Sequence, residues 1–323
     1  MLQLVNLSNY DSDIELIRNS PECLAAFLDR FQLDGLEMMF CGPQDVRLHK
    51  SEWIHGVHLR FWPAWLDFWR GDRTELLRQF GSEANIEAYY GTQEREPWLN
   101  IFRENIRYAK LAGANYLVLH VSHARNPELF SWQFSAGSRE VVLATIEVVN
   151  ELAADIPEEM ELLFENLWWP GMTLQDRQMV SLLLENVRHK NSGIMLDTGH
   201  LMNTNPNLRS EEAGIDFILD TVKRLEDYGG RIRGVHLHRS LSGEYSLSSR
   251  WHTKEQYTFT DVMSHVMKLD QHLPFQTAAV RRIVEFVRPE YLVHEFIAES
   301  MADWEQKLAC QQMALGMGSG KDA

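Results

Sequence analysis

Short apolar runs that end in a carboxylate or an imidazole recur along the chain. Ile194–Leu196 leads to Asp197 and, past Gly199, to His200; Val118-Leu119 leads to His120, Leu163-Phe164 to Glu165, Val235 to His236, and Val293-His294 to Glu295. A parallel strand buried on both faces reads as an unbroken apolar run, and the loop that follows it is where side chains that do chemistry begin. Several strands that each deliver a functional group at the C-terminal end describe the active face of a (β/α)8 TIM barrel. That is the fold class expected here, as a single domain over residues 1–314.

The same pattern predicts strands over Leu2–Leu7, Gly35–Met39, Ile54–Arg60, Asn115–Val121, Glu161–Asn166, the run from Ile194, Ile232–Leu237 and Tyr291–Phe296, with helices in most gaps. Ser20-Pro21-Glu22 has the cap, first-position proline and first-turn acid of a helix that reaches Phe31. Further helices are expected over Pro97–Leu111, from Ser138 to Asp155, from Thr173 to near His189, and from Ser210 to the Gly229-Gly230 stop. Residues 62–96 are too long for a simple strand-to-helix connection and rich in rings, among them Trp62, Trp65, Phe68, Trp69, Tyr89 and Tyr90. They read either as a packed excursion over the barrel or as a lid whose rings cover a substrate. A polar loop from Arg239 to Thr258 precedes helical segments broken near Pro274, and residues 315–323 are expected as a disordered tail.

Composition narrows the partners. A formal net charge of −15 opposes any ligand held by a phosphate backbone, so nucleic acid is disfavoured and a small-molecule substrate is expected. The start has neither a basic segment nor an apolar stretch long enough to span a membrane, which leads to the expectation of a cytoplasmic protein. Cys23, Cys41 and Cys310 lie far apart and form no CxxC, so a thiolate metal site is not indicated.

Alternation along the strands sorts the candidates by face. Glu165 shares a face with Leu163, Asp197 with Met195, Glu295 with Val293, and His236 with His238, while Leu162, Phe164, Leu196, Leu237 and Phe296 turn toward the helices. The same rule points Glu37, His58 and Arg60 at the barrel mouth. Acids gathered in a buried mouth repel one another and lose hydration, and a divalent cation removes both penalties at once. The alternative is a salt-bridge network with Arg60 and Arg239.

Taken in order, Leu163-Phe-Glu-Asn166, Leu196-Asp-Thr-Gly-His200, Gly234-Val-His-Leu237 and Val293-His-Glu295 resemble the xylose isomerase-like barrels, which include sugar epimerases and isomerases, inosose dehydratase and endonuclease IV. The resemblance implies that Glu165, Asp197, His236 and Glu295 hold one divalent metal, Mn, Co, Zn or Fe. It also implies that Glu165 and Glu295 form the catalytic pair that moves a substrate proton, and that His200 contacts the substrate. Endonuclease IV-like members bind three zinc ions, and His58 and His120 resemble their extra histidines. These two, with His200 and His252, are therefore candidate ligands of further metals. The Asp-x-His that such members carry after strand seven has its nearest match in Arg250-Trp251-His252, which lacks the carboxylate, so one ion is expected and two or three are the alternative. Glu37, Arg60, Trp62, Trp65, Trp168 and His238 complete the expected substrate-binding set. The leading expectation is an isomerase or epimerase of a sugar, polyol or other hydroxy-carbonyl compound; the alternative is a multinuclear hydrolase of a small phosphoester.

Overall fold

The computed structural model describes residues 1–250 and 257–317, so His252 and residues 318–323 lie outside the described residues. Eight strands close in chain order into a parallel barrel: β1 (Leu2–Ser8), β2 (Gly35–Met39), β3 (Ile54–His58), β4 (Tyr116–His120), β5 (Glu161–Glu165), β6 (Ser192–Asp197), β7 (Ile232–Leu237) and β8 (Tyr291–His294). The seam between β1 and β8 is paired from Leu2 with Tyr291 to Val5 with His294. Inside the barrel, Leu4, Tyr116, Val118, Leu163, Met195, Tyr291 and Val293 pack on one another. Their neighbours Val5, Leu117, Phe164, Leu196 and Leu237 join the larger core under the helices. The period-2 pattern thus becomes two cores, and the chemistry-bearing residues sit at the upper rim of the inner one.

β3 and β8 end two residues earlier than the sequence pattern suggests, because side chains replace the ladder there. Asn105 Oδ1 accepts from the Arg60 N–H at 3.0 Å. Asn6 takes the Phe296 N–H at 2.9 Å and donates to the Phe296 carbonyl at 3.1 Å. Glu295 therefore stands just beyond the strand, on a segment pinned by an asparagine. The helix expected from Thr173 begins at Arg177 instead, where the Asp176 side chain accepts from the Gln178 N–H; Leu174, at a φ of +63°, is not helical. The chain also stays packed past residue 314, since the helix Met301–Leu315 ends at Gly316 in the left-handed region and Leu315 is buried.

Residues 62–96 fold into helices Leu66–Arg70, Arg73–Phe80 and Glu83–Tyr90, followed by the long helix Arg95–Ala112. Their rings pack on one another: Trp98 lies 5.4 Å from Trp62 and 4.9 Å from Phe102, and Phe68 stacks on Tyr90 at 4.2 Å. The indoles are also tied down, Trp62 donating to the Tyr89 carbonyl at 2.8 Å and Trp65 to the Ser122 carbonyl at 2.7 Å. The excursion is thus a satellite core, and Trp62 and Trp65 belong to its interior rather than to a cover over the mouth. A buried ion pair fastens it to the loop after β4. Arg125 donates to both oxygens of Asp67, at 2.7 and 2.8 Å, and Gln79 adds a third bond at 2.9 Å.

Burial alone would push the Asp67 carboxyl up, but the Arg125 and Gln79 hydrogen bonds hold it below its ordinary 3.8. Asp67→Asn should therefore cost about 2 kcal/mol at neutral pH, the worth of hydrogen bonds to a charged partner. Because the folded pKa lies below the unfolded one, this contribution is complete above the unfolded value and is lost as pH falls through the folded value. Urea titrations of both proteins at neutral pH and in acid check this; a stability gap that acid leaves unchanged would contradict it.

Candidate metal centre

Glu165, the last residue of β5, is fully buried, and imidazoles surround it. Its Oε2 lies 3.1 Å from His58 Nε2 at the end of β3 and 3.1 Å from His120 Nε2 at the end of β4. Its Oε1 lies 3.1 Å from His200 Nδ1. The His58 Nδ1–H donates to the Leu59 carbonyl at 2.8 Å, which leaves Nε2 as a lone-pair donor facing Glu165. His58, His120 and Glu165 thus offer ligand atoms within 4.8 Å of one another.

A second group surrounds His236 at the end of β7. Its Nδ1 is 3.4 Å from Glu165 Oε2, 3.8 Å from Asp197 Oδ2 and 3.4 Å from Glu295 Oε2. Among the described residues, His236 Nδ1 and Glu295 Oε2 are buried atoms with no hydrogen-bond partner. Glu165, Asp197 and His236 offer ligand atoms within 4.8 Å of one another, as do Asp197, His238 and Glu295, and such mixed nitrogen and oxygen donors fit a divalent cation. The far side of His236 is fixed as a metal-binding histidine needs: Nε2 lies 2.9 Å from Glu37 Oε1, and Glu37 Oε2 accepts from the Tyr116 hydroxyl at 2.8 Å. Alternation points Glu37 at a substrate, but the structure buries it beneath the ring of His236.

The third group is one that the strand-end pattern does not reach. His200, His238, Asp270 and His272 place ligand atoms within 4.8 Å of one another. Asp270 Oδ2 is 3.1 Å from His200 Nε2 and 2.7 Å from His272 Nε2. The signal is present as Asp270-Gln271-His272, an Asp-x-His after strand seven and a fuller match than Arg250-Trp251-His252. Distance along the chain conceals it. The helix Phe259–Leu269 ends at Asp270, and the next residues return to the end of β7, where Arg239 and Leu273 exchange backbone hydrogen bonds at 2.7 and 3.2 Å. His272 is held there at a φ of +44°, a conformation that a non-glycine residue adopts at some cost and that recurs at functional sites.

Charge balance explains the titration behaviour. Burial opposes the ionised form of Glu165, yet His120 and His236 beside it hold the carboxyl well below the usual range. Burial pushes Asp197 up to about 6 and drives His120 down to about 4 and His238 down to about 3. Burial likewise disfavours a charged His272, but Asp270 raises it to about 9. Without another cation, some imidazoles must carry protons to offset the carboxylates; divalent ions would take over that role and release the protons.

The remaining expected residues lie around this centre. Trp168 packs its ring 5.0 Å from His200, and Phe61, 37% exposed, lies 4.0 Å from His120. Trp62 and Trp65 reach the centre only as walls of a cavity of about 30 Å³ that His120 also lines. Arg60 holds its guanidinium 5.3 Å over Trp62. His238, expected to meet a substrate, is 0% exposed, and its Nε2 lies 2.9 Å from Asp197 Oδ2. His294 turns away from the mouth and accepts from Gln311 at 2.9 Å.

The profile of the xylose isomerase-like TIM barrel family matches residues 28–305, and the chain belongs to that family. Among solved structures it is similar to endonuclease IV from Thermus thermophilus, with 14% identity and a TM-score of 0.54 over 98% of this chain and all of that one. It is also similar to IolI with a bound zinc atom, at 14% identity and a TM-score of 0.53 over 97% of this chain and 96% of that one. A D-tagatose 3-epimerase-like protein shares 14% identity and a TM-score of 0.50 over 97% of this chain and 88% of its own. No curated protein sequence matches the chain. At such identities these likenesses speak for the fold, and the chemistry has to be argued from the site.

The Glu37 carboxylate should matter to metal affinity without touching metal. Glu37→Gln is expected to weaken divalent-ion binding about 10- to 100-fold, with Tyr116→Phe changing it less. Competition against a chromophoric chelator measures both, and an unchanged affinity in Glu37→Gln would remove its positioning role.

Proposed function

We propose that the protein is a multinuclear metal-dependent hydrolase of a small phosphoester. The observation that carries this reading is the sharing of ligands: Glu165 lies between the His58–His120 pair and the Asp197–His236–Glu295 group, and its other oxygen meets His200 of the third group. Three adjoining ion positions follow from such an arrangement, with zinc, manganese, cobalt or iron suited to the mixed nitrogen and oxygen donors. Divalent ions there would neutralise phosphoryl oxygens and make a neighbouring water more acidic.

The chain's own residues then have separate tasks. Glu165 would contribute an oxygen to each of two neighbouring positions, since it belongs to both the His58–His120 and the Asp197–His236 groups. Leu59 and Glu37 orient the His58 and His236 rings. Glu295, the most accessible carboxylate of the second group at 13% side-chain exposure, stands nearest the open mouth. Phe61 and Trp168 narrow that mouth, and Arg60 supplies a cation for a phosphoryl oxygen. The net charge of −15 favours a small ester over a nucleic acid.

The isomerase or epimerase reading has less support. Proton transfer at carbon needs Glu165 to present a free oxygen to the substrate, whereas both of its oxygens are within 3.1 Å of imidazole nitrogens in a fully buried setting. The fold alone favours neither reaction.

The test sets the two chemistries against each other. Protein loaded with zinc or manganese should hydrolyse a panel of aryl phosphate mono- and diesters, with chelation abolishing turnover and Glu165→Gln lowering kcat by about a thousandfold, as loss of a metal-organising carboxylate implies. It should not exchange carbon-bound hydrogen of ketoses with deuterated water. Exchange without ester hydrolysis would return the assignment to the epimerase class.

A further inference from the structure

The side of the mouth formed by β1, β2 and β3 carries a polar group outside the metal centre. Ser8, Met39 and His58 stand side by side at the ends of these strands, since Ser8 pairs with Met39 and Met39 with His58. Two residues further on, each chain presents another side chain: Tyr10, Cys41 and Arg60. Burial pushes the Tyr10 hydroxyl and the Cys41 thiol up, and the nearby Arg60 charge works against it, so the three side chains are neighbours. Asparagines brace the three chain segments. Asn9 Oδ1 accepts from the Cys41 N–H at 2.6 Å, while Asn105 accepts from the Arg60 N–H at 3.0 Å and donates to the Phe40 carbonyl at 3.0 Å. Two residues of extended chain rise about 6.6 Å, which sets this group above His58 and the ion positions beside it. It is open to a ligand, Tyr10 being 49% exposed and Arg60 half-buried.

Arg60 is the cation of this group, and it has no acid to pair with in a mouth rich in acids. Its guanidinium lies 5.3 Å over the Trp62 ring and makes no ion pair among the described residues. Other arginines around the rim are engaged: Arg239 lies 3.4 Å from Glu211, and Arg125 holds Asp67. A fixed, unpaired guanidinium with a hydroxyl beside it suits a phosphoryl group, whose oxygens accept from its planar fork. We infer that a second, non-reacting phosphoryl group of the substrate binds to Arg60 and the Tyr10 hydroxyl, so that the substrate is a small molecule with two phosphoryl groups. The inference rests on the hydrolase reading above and specifies which phosphoryl oxygen Arg60 meets. Glu165, Asp197 and Glu295 form no ion pair with Arg60, so its charge stands clear of the positions where ions would hold the reacting group. The alternative role for Arg60 is to roof the satellite core through Trp62, with no ligand.

Zinc-loaded full-length protein decides between them when titrated calorimetrically with propylphosphonate and with propane-1,3-bisphosphonate, whose carbon–phosphorus bonds are not hydrolysed. The bisphosphonate should bind wild type at least about tenfold more tightly, as hydrogen bonds to a charged partner imply. Arg60→Met should lose that advantage and Tyr10→Phe a smaller part of it. In a crystal structure of the wild-type complex, one phosphonate should lie about 2.8 Å from the Arg60 guanidinium, the length of a charge-assisted bond. Equal affinities of wild type for the two compounds, an advantage that survives in Arg60→Met, or a structure with Arg60 touching neither phosphonate overturns the proposal. The comparison within wild type and the crystal structure stand even if the variant fails to fold. Neither readout depends on turnover: a bisphosphonate held by Arg60 in a protein that cleaves no phosphoester would refute the proposed function and leave this subsite standing. Ester hydrolysis without any bisphosphonate preference would do the reverse.

Discussion

Glu165 is buried without access to water, and both of its oxygens are held by nitrogens from β3, β4 and the segment after β6. A lone carboxylate in that setting would be prohibitively costly, and it is tolerated because His200 and His236 lie beside it, their imidazoles kept protonated by the carboxylates around them. Every other feature of the mouth answers this demand. His58 and His120 are brought to it by the ends of neighbouring strands, His200 by the short helix Thr198–Asn203, and His236 by the barrel's far side. Glu37 and Tyr116 then form a second tier, deeper in the barrel, which keeps His236 facing inward. The inner core of Leu4, Val118, Leu163, Met195 and Val293 supports that tier and keeps water out from below.

The barrel itself is legible in the sequence because parallel strands buried on both faces leave long apolar runs, and because alternation carries a residue's facing from one strand to the next. Those two signals suffice for Glu165, Asp197, His236 and Glu295, each at or just past a strand end. They fail where geometry depends on a return path. Asp270 and His272 approach the centre on a segment that follows a helix, and no local period marks a helix exit as adjacent to a strand far earlier in the chain. Glu37 escapes for another reason. Alternation gives the direction of a side chain but not its depth, and β2 places Glu37 level with the ring beneath the ligand sphere rather than with the mouth. The aromatic excursion shows a similar limit, since ring-rich sequence looks the same whether the rings cover a ligand or one another.

The excursion and the metal centre meet at His120, whose ring has Phe61 on one side and the Glu165 carboxylate on another. The Asp67–Arg125 pair fixes the excursion to the loop after β4, the strand that carries His120. The satellite core thereby packs against a histidine of the candidate metal centre.

The Arg239–Leu273 bridge joins the returning segment to the residues after β7, where Ser240 also donates to the Leu269 carbonyl at 2.6 Å and Gln271 accepts from the Leu241 N–H at 3.0 Å. An ion bound by His200, Asp270 and His272 would act as a clasp between that segment and the barrel, binding the docked form and not the detached one. By mass action its binding energy then becomes docking energy, so the local cost of opening this side of the mouth rises and falls with the free concentration of metal.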